Sequence, residues 1–235
     1  MPKTKLIEDA LSLIVHDGTA PLRSADFFIE RASENLEEGE LCLVEEDLKQ
    51  LRSSIGDARA VIDAVRRIRE IMYQADEVSS FTGADIQSDL AFSFRKHPVT
   101  FDIQDATGHG HYALLVMALS ELIANSLQHS GAGAAHVKLY AEPEETVFVI
   151  SDTGPGIPEA FRARATKAFQ VGSIEKKRQG FRGLGLFYVH LACVTMGSQL
   201  EWGLAEGRFE MRLEASSIFK GYSVPRCETA LSAEN

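Results

Sequence analysis

From Leu48 to Met72 the chain repeats apolar residues at alternating steps of three and four. They are Leu48, Leu51, Ile55, Ala58, Ile62, Val65 and Met72, with Arg69 alone breaking the stripe. A heptad held over more than three repeats specifies an α-helix with a coiled-coil-like seam, and the seam needs something to meet. A weaker version precedes it: Ile7, Leu11, Ile14, Pro21, Ala25, Phe28 and Ala32. Between the two, Asn35 to Glu40 contains Gly39 and reads as a turn. Two antiparallel helices of this length bury one stripe against each other and leave apolar surface over. A second copy, pairing into a four-helix bundle, would bury the rest. The other arrangement open to the pattern is an intramolecular hairpin resting on the C-terminal domain.

After Ser79 the period changes. Phe81-Thr82-Gly83 reads as a linker and Ala84 to Lys96 as a short helix with Asp85 near its start. His97-Pro98 ends that helix, because the residue before proline avoids the helical region. Val99, Phe101 and Ile103 alternate with polar residues and predict a strand. Ala113 to Gln128 reads as a helix, Ala135 to Ala141 and Thr146 to Ser151 as strands, and Gly185 to Met196 as a helix. Ser198 to Leu204 and Gly207 to Leu213 close the pattern as strands. Helices mixed with a mainly antiparallel sheet imply an α/β sandwich. The expected class is therefore α+β, with a helical hairpin at 1–82, a sandwich domain at 83–215 and a mobile polar tail at 216–235.

Composition removes several classes. The net charge is −10, and an acidic surface repels phosphate backbones and anionic lipid. No apolar run approaches the ~20 residues that span a bilayer. Met1 to Asp9 lack the basic-then-apolar order of a signal peptide. Cys42, Cys193 and Cys227 are far apart and odd in number, which suggests reduced thiols rather than a disulfide framework or a metal site. The expectation is a cytoplasmic protein with neither nucleic acid nor membrane as partner.

Three segments carry chemistry. In Glu121-Leu-Ile-Ala-Asn125-Ser-Leu-Gln-His129, the carboxylate, amide and imidazole recur at i, i+4 and i+8, on one helix face, while Leu115, Leu119 and Leu122 occupy another. Oxygen ligands on such a face suit a hydrated Mg²⁺ and a phosphate, although a polar face is more often only solvated. Asp152-Thr-Gly154-Pro-Gly156-Ile157-Pro158 follows a strand directly. Its glycines and prolines force a tight turn and allow close approach to the backbone, and Asp152 stands where a carboxylate can accept from an exocyclic amine. Gly180-Phe-Arg182-Gly183-Leu184-Gly185-Leu186 opens an apolar helix. A glycine-rich helix N-terminus presents free N–H groups and the positive end of the dipole to phosphates. Lys176, Lys177 and Arg178 precede it in a stretch with the character of a lid.

Together and in this order, the segments resemble the histidine-kinase catalytic domain, within the superfamily of gyrase, Hsp90, histidine-kinase and MutL ATPases. ELIANSLQHS is similar to the family's N box, DTGPGIP to its G1 box and GFRGLGL to its G2 box, and Phe169 matches the aromatic position before the lid. The resemblance implies ATP and Mg²⁺ as cofactors. It assigns Asp152 to the adenine amino group, Asn125 to the metal, Gly183 and Gly185 to the triphosphate, and Glu121 to the metal or its water. The nucleotide site it implies also takes in His129, Gly154, Gly156, Ile157, Lys176, Arg182, Leu184 and Leu186. Gln128 departs from the pattern, since the family usually has a basic residue there; Arg182 or the lid lysines are the replacements within reach.

Val15-His16-Asp17-Gly-Thr-Ala20-Pro21-Leu22 resembles the family's H box. On the heptad of Ile7, Ile14 and Pro21, His16 falls away from the seam, as in-line attack on a γ-phosphate requires. Asp17 is placed to orient the ring and take its proton. Pro21 should bend the helix just after His16. Ala20 replaces the Thr or Asn common in the family, and alanine cannot hydrogen-bond a hydrolytic water, so weak phosphatase activity is expected.

The leading expectation is a homodimeric, ATP-dependent protein histidine kinase that phosphorylates His16 and passes the group to an aspartate of a response-regulator receiver domain. The alternative is a histidine phosphotransferase relay with a degenerate ATP domain. A serine kinase acting as an anti-sigma switch, or a conformational ATPase, lacks the hairpin with its H box. No sensor fits the residues already assigned, so input would come from a longer chain or a separate sensor protein.

Overall fold

The computed structural model describes residues 3–75, 77–130, 133–141, 146–167, 170, 183–205, 208–215 and 218. Side chains are not described for 3–7, 9–10, 13–18, 140, 141 and 205. The chain divides into two compact units, Met1–Ala75 with Ile157–Thr195, and Asp76–Gly156 with Met196–Asn235.

The first unit opens with a helical hairpin, α1 (Lys3–Glu37) and α2 (Leu41–Gln74). α1 runs on through Pro21. It stops where Gly39 takes a φ of 77°. Gly39 N–H donates to Leu36 O and Glu40 N–H to Asn35 O, at 3.2 and 2.8 Å. That bond pair is the Schellman ending, in which a left-handed glycine satisfies the last carbonyls of the helix. Ala25 and Ala32 are buried on α1, as its heptad expects.

The face α2 turns inward is not the heptad stripe. Its buried residues are Asp47, Ser54, Ala64, Ile68 and Ile71. Leu48, Ile55, Ile62, Val65 and Met72 are 41% to 54% exposed. The inner seam near the turn is polar. The Asp47 carboxylate, fully buried, accepts from Arg31 Nε at 2.6 Å and from Arg31 Nη2, and Asn35 Nδ2 donates to its other oxygen at 2.8 Å. Arg31 also lies over the Phe27 and Phe28 rings, 5.5 and 5.3 Å from their centroids. The Arg31 hydrogen bond holds the Asp47 carboxyl below its ordinary range, against desolvation. The same unit contains α5 (Glu159–Arg162) and all but the last residue of α6 (Gly185–Met196).

The second unit is a five-stranded sheet with helices. β1 (Ser79–Thr82) pairs with β3 (Thr107–Gly110) as a separate ribbon. The main sheet has β2 (Val99–Ile103), β4 (Ala135–Ala141), β5 (Thr146–Asp152), β6 (Leu200–Ala205) and β7 (Arg208–Glu214) in the order β2-β4-β5-β7-β6. β2 and β4 run parallel and the other pairs antiparallel. β5 is central and buried along its whole length. α4 (Tyr112–His129) packs on β4 and β5 through Leu115, Leu119, Leu122 and their neighbours, all fully buried. Each such side chain contributes about 1.5–3 kcal/mol relative to exposure.

Phe81-Thr82-Gly83 is structured rather than a linker. Phe81 is buried in β1, and Thr82 caps α3 (Gly83–Ser93) in a reciprocal box with Asp85. Gly83 N–H donates to Ala106 O, and a Cβ there would overlap the Gln104 carbonyl. The Tyr112 hydroxyl donates to Asp89 on α3 at 2.7 Å, fixing the start of α4. Burial, then that carboxylate, raises the phenol well above its ordinary value. Ile218, inside the segment read as tail, is buried; it stands over Gly110 and accepts the His109 N–H. Among the described residues no helix is long and apolar enough to cross a membrane.

Candidate functional site

The polar face of α4 and the turn after β5 meet at the end of the helix. Glu121, Asn125 and His129 are half-buried along that face, opposite the leucine stripe, and Gln128 is exposed. Asn125 Nδ2 is buried and has no hydrogen-bond partner among the described residues; the same is true of Ser126 Oγ and Ser130 Oγ. Unpaired buried polar atoms are uncommon in folded proteins and need a reason.

Asp152 ends β5 and is 5% exposed. One carboxylate oxygen accepts the Gly154 N–H at 2.7 Å, closing a tight turn. Gly154 is pressed against the last turn of α4: a Cβ on it would stand 2.5 Å from the His129 carbonyl oxygen. Gly156 has a φ of 71°, and a Cβ there would stand 2.5 Å from the Phe209 ring. Phe209 is the ladder partner of Asp152 and is buried. Sequence reasoning missed it as a site residue, because on the alternating strand β7 it looks like any core position. The signal lay in its register opposite Asp152, which only the pairing discloses.

A second group belongs to the other unit. Ile157 O accepts Arg162 Nε at 3.2 Å, fixing the carbonyl at the close of the Gly-Pro turn. Gly183 has a φ of 64°, and a Cβ on it would overlap the Gln170 carbonyl. Leu184 O accepts the Tyr188 N–H at 3.0 Å, so Leu184 caps α6 and the N–H groups of Gly185 and Leu186 fall in its first turn. Those N–H groups lack helical acceptors and sit at the positive end of the dipole. Lys176 and Arg182, with Phe169, Lys177 and Arg178, lie outside the described residues. His16 and Asp17 lie within α1, and their side chains are not described. Among the described residues no three His, Cys, Asp or Glu side chains cluster to hold a metal. A magnesium ion carried mainly by phosphate and water needs only one or two protein oxygens, which the Glu121 carboxylate and the Asn125 side-chain oxygen could supply from one helix face; the unpartnered Asn125 Nδ2 is a donor and suits a phosphate oxygen instead.

Residues 110–217 match the model of the histidine kinase-, DNA gyrase B- and HSP90-like ATPase family. The chain is 35% identical over 97 residues to the probable sensor histidine kinase TcrY of Mycobacterium tuberculosis, covering 38% of this chain and 20% of that one. It is 28% identical over 144 residues to the signal transduction histidine-protein kinase AfsQ2 of Streptomyces coelicolor, covering 61% and 24%. The chain thus spans a fifth to a quarter of the curated relatives it matches. In structure it is similar to the histidine kinase AdeS of Acinetobacter baumannii, with a TM-score of 0.55 at 16% identity over 82% of this chain and 95% of that one. Full-length ShkA in complex with AMPPNP gives 0.50 at 18% identity, covering 92% and 47%.

Proposed function

We propose that the chain is an ATP-dependent protein histidine kinase that phosphorylates its own His16; the match of residues 110–217 to the histidine kinase-, DNA gyrase B- and HSP90-like ATPase family and the likeness to sensor histidine kinases support it. The observation that carries the reading is the Asp152–Gly154 turn, pinned against the helix that bears Asn125 with its unsatisfied amide. A relay protein with a degenerate site has no need of a buried carboxylate or of glycines at positions where a side chain cannot fit.

In this reading Asp152 accepts from the adenine amine. Gly183, Leu184, Gly185 and Leu186 offer backbone N–H groups to the phosphates, and Lys176 and Arg182 add charge. Asn125 and Glu121 would hold Mg²⁺ through their side-chain oxygens, with His129 beside them, and the ion would supply charge neutralisation at the phosphates. Asp17 takes the proton as a His16 ring nitrogen forms its bond to the γ-phosphorus. The bond from that phosphorus to the bridging oxygen breaks, and ADP leaves. The group then passes to a receiver aspartate. Burial of Ala25 and Ala32 on the inner face of α1 supports a position for His16 away from that face, as the heptad has it. The exposed stripe Leu48, Ile55, Ile62, Val65 and Met72 supports pairing with a second copy into a four-helix bundle. Residues 1–82 act as the dimerisation and phosphotransfer domain and 83–215 as the catalytic domain.

The test is incubation with γ-labelled ATP and Mg²⁺, for wild type and His16→Ala. Label that survives base, is lost in acid and is absent from His16→Ala is expected. Label persisting without His16 would overturn the nucleophile, and neither label nor ATP binding would move the chain to the relay reading.

A further inference from the structure

We propose that His109 and His111 form a two-imidazole site for a divalent transition-metal ion, zinc, nickel or copper(II), on the open face of the β1–β3 ribbon. The inference lies outside the nucleotide site and does not depend on the nucleotide reading.

The chain reads Gly108-His109-Gly110-His111 as β3 runs into α4. Successive strand residues point to opposite faces, and burial along β3 follows that rule: Thr107 and His109 are exposed, Gly108 and Gly110 buried. His111, the N-cap of α4, comes two residues after His109 and is half-buried. Both rings lean toward the segment that forms β1. His109 Nδ1 is 3.0 Å from the hydroxyl of Ser80, its ladder partner, and His111 Nδ1 is 3.2 Å from the Glu77 carbonyl oxygen. Strand residues two apart have Cα atoms about 6.6 Å from each other. Two imidazoles leaning the same way from that spacing can close on one ion at the ~2.1 Å of a metal–nitrogen bond.

The hydrogen bonds leave the correct ring atoms for a metal. A carbonyl oxygen only accepts, so His111 Nδ1 carries the proton and Nε2 keeps its lone pair. The Ser80 hydroxyl can accept the His109 Nδ1–H in the same way. Neither Nε2 has a partner among the described residues. Metal-bound histidines donate their other ring N–H to an oxygen, which fixes the ring and raises its basicity, and both histidines already have that support. Their backbone is held too, by the ladder to β1 and by the His109 N–H, which donates to Ile218 O at 2.8 Å. Imidazole nitrogens suit zinc, nickel and copper(II), whereas magnesium takes oxygen. Among the described residues no third His, Cys, Asp or Glu joins the pair, so water fills the remaining positions.

The experiment titrates zinc chloride and nickel chloride into the untagged full chain, without nucleotide, by calorimetry. Wild type, His109→Ala, His111→Ala, Ser80→Ala and the exposed-histidine control His97→Ala are compared. Wild type should bind one ion per chain, undisturbed by excess magnesium chloride. His97→Ala should match it, while His109→Ala and His111→Ala should each lose at least about tenfold in affinity, with Ser80→Ala between. Copper(II) paramagnetic resonance should count two imidazole nitrogens in wild type and one in either histidine variant. Melting temperatures without metal check the fold; should His111→Ala melt lower, His111→Gln, which keeps a donor for Glu77 O, takes its place. Binding that depends on only one of the two histidines would mean a single surface imidazole and overturn the proposal. So would an equal loss in His97→Ala, displacement by magnesium, or no heat of binding in wild type.

Discussion

Gly154 and the His129 carbonyl leave no room between them: a Cβ on Gly154 would stand 2.5 Å from that oxygen and 2.8 Å from an Asp152 carboxylate oxygen. Overpacking of this kind costs about 1–3 kcal/mol. Gly154→Ala is expected to weaken ATP binding by at least about tenfold, read by calorimetric titration. Gly203→Ala is the control, because nothing lies within 4 Å of its Cβ position. Equal affinities for the two variants would show that the tight turn does not shape the site.

Asp152→Asn separates fold from recognition. An asparagine oxygen can still accept the Gly154 N–H, but an amide NH₂ then replaces the second carboxylate oxygen. Hydrogen bonds to charged groups are worth about 1.5–3 kcal/mol, so ATP affinity should fall about 10- to 100-fold. The circular dichroism spectrum should not change. Retained affinity would remove Asp152 from the base site.

The Arg31–Asp47 pair predicts an acid-sensitive hairpin. The folded Asp47 carboxyl lies below its unfolded value of 3.8, so its contribution is complete above that pH and is lost as pH falls through the lower, folded value. Arg31→Met leaves a buried carboxylate without its main partner and should lower the melting temperature at pH 7. Arg31→Met with Asp47→Leu should recover it and flatten the profile below pH 4, because apolar residues of similar volume often replace such pairs at no loss. A double variant no more stable than the single one would mean that the pair itself, not its burial, sustains the hairpin.

Ile55→Glu and Ile62→Glu introduce charge on side chains that are exposed in the single chain. They should turn a dimer into a monomer by sedimentation and lower the melting temperature of the hairpin. A wild-type monomer at tens of micromolar would end the bundle proposal.

Ala20 is exposed on α1, one turn beyond His16. Ala20→Thr or Ala20→Asn should raise dephosphorylation of a phosphorylated receiver severalfold while autophosphorylation stays near the wild-type rate. No gain with either variant would remove Ala20 as a reason to expect weak phosphatase activity.

The long periodic elements were legible. The heptads mark both helices of the hairpin, and α4, β4, β5 and α6 lie within a residue of where pattern and turn residues put them. What escaped depends on long-range pairing. β1 and β3 are four residues each and pair only with one another, so neither carries a period of its own. Phe81 in a glycine-bounded stretch looks like a linker until Gly108 stands opposite it. The inward face of α2 was hidden for another reason: apolarity marks the heptad stripe, but the neighbouring row, which includes Asp47 and Ser54, is the one that packs inside. Within the site, the N-, G1- and G2-type segments announced themselves by composition. Phe209 did not, because its contribution to the Gly156 turn follows from strand register alone.

In the proposed dimer, a hairpin with Asp47 inside and Ile55 and Ile62 outside is only half of a folding unit. Its apolar gain arrives when a second chain covers the outer row, which links folding to mass action. The melting temperature of residues 1–75 should therefore climb with protein concentration, and dilution should act on this protein as a mild denaturant.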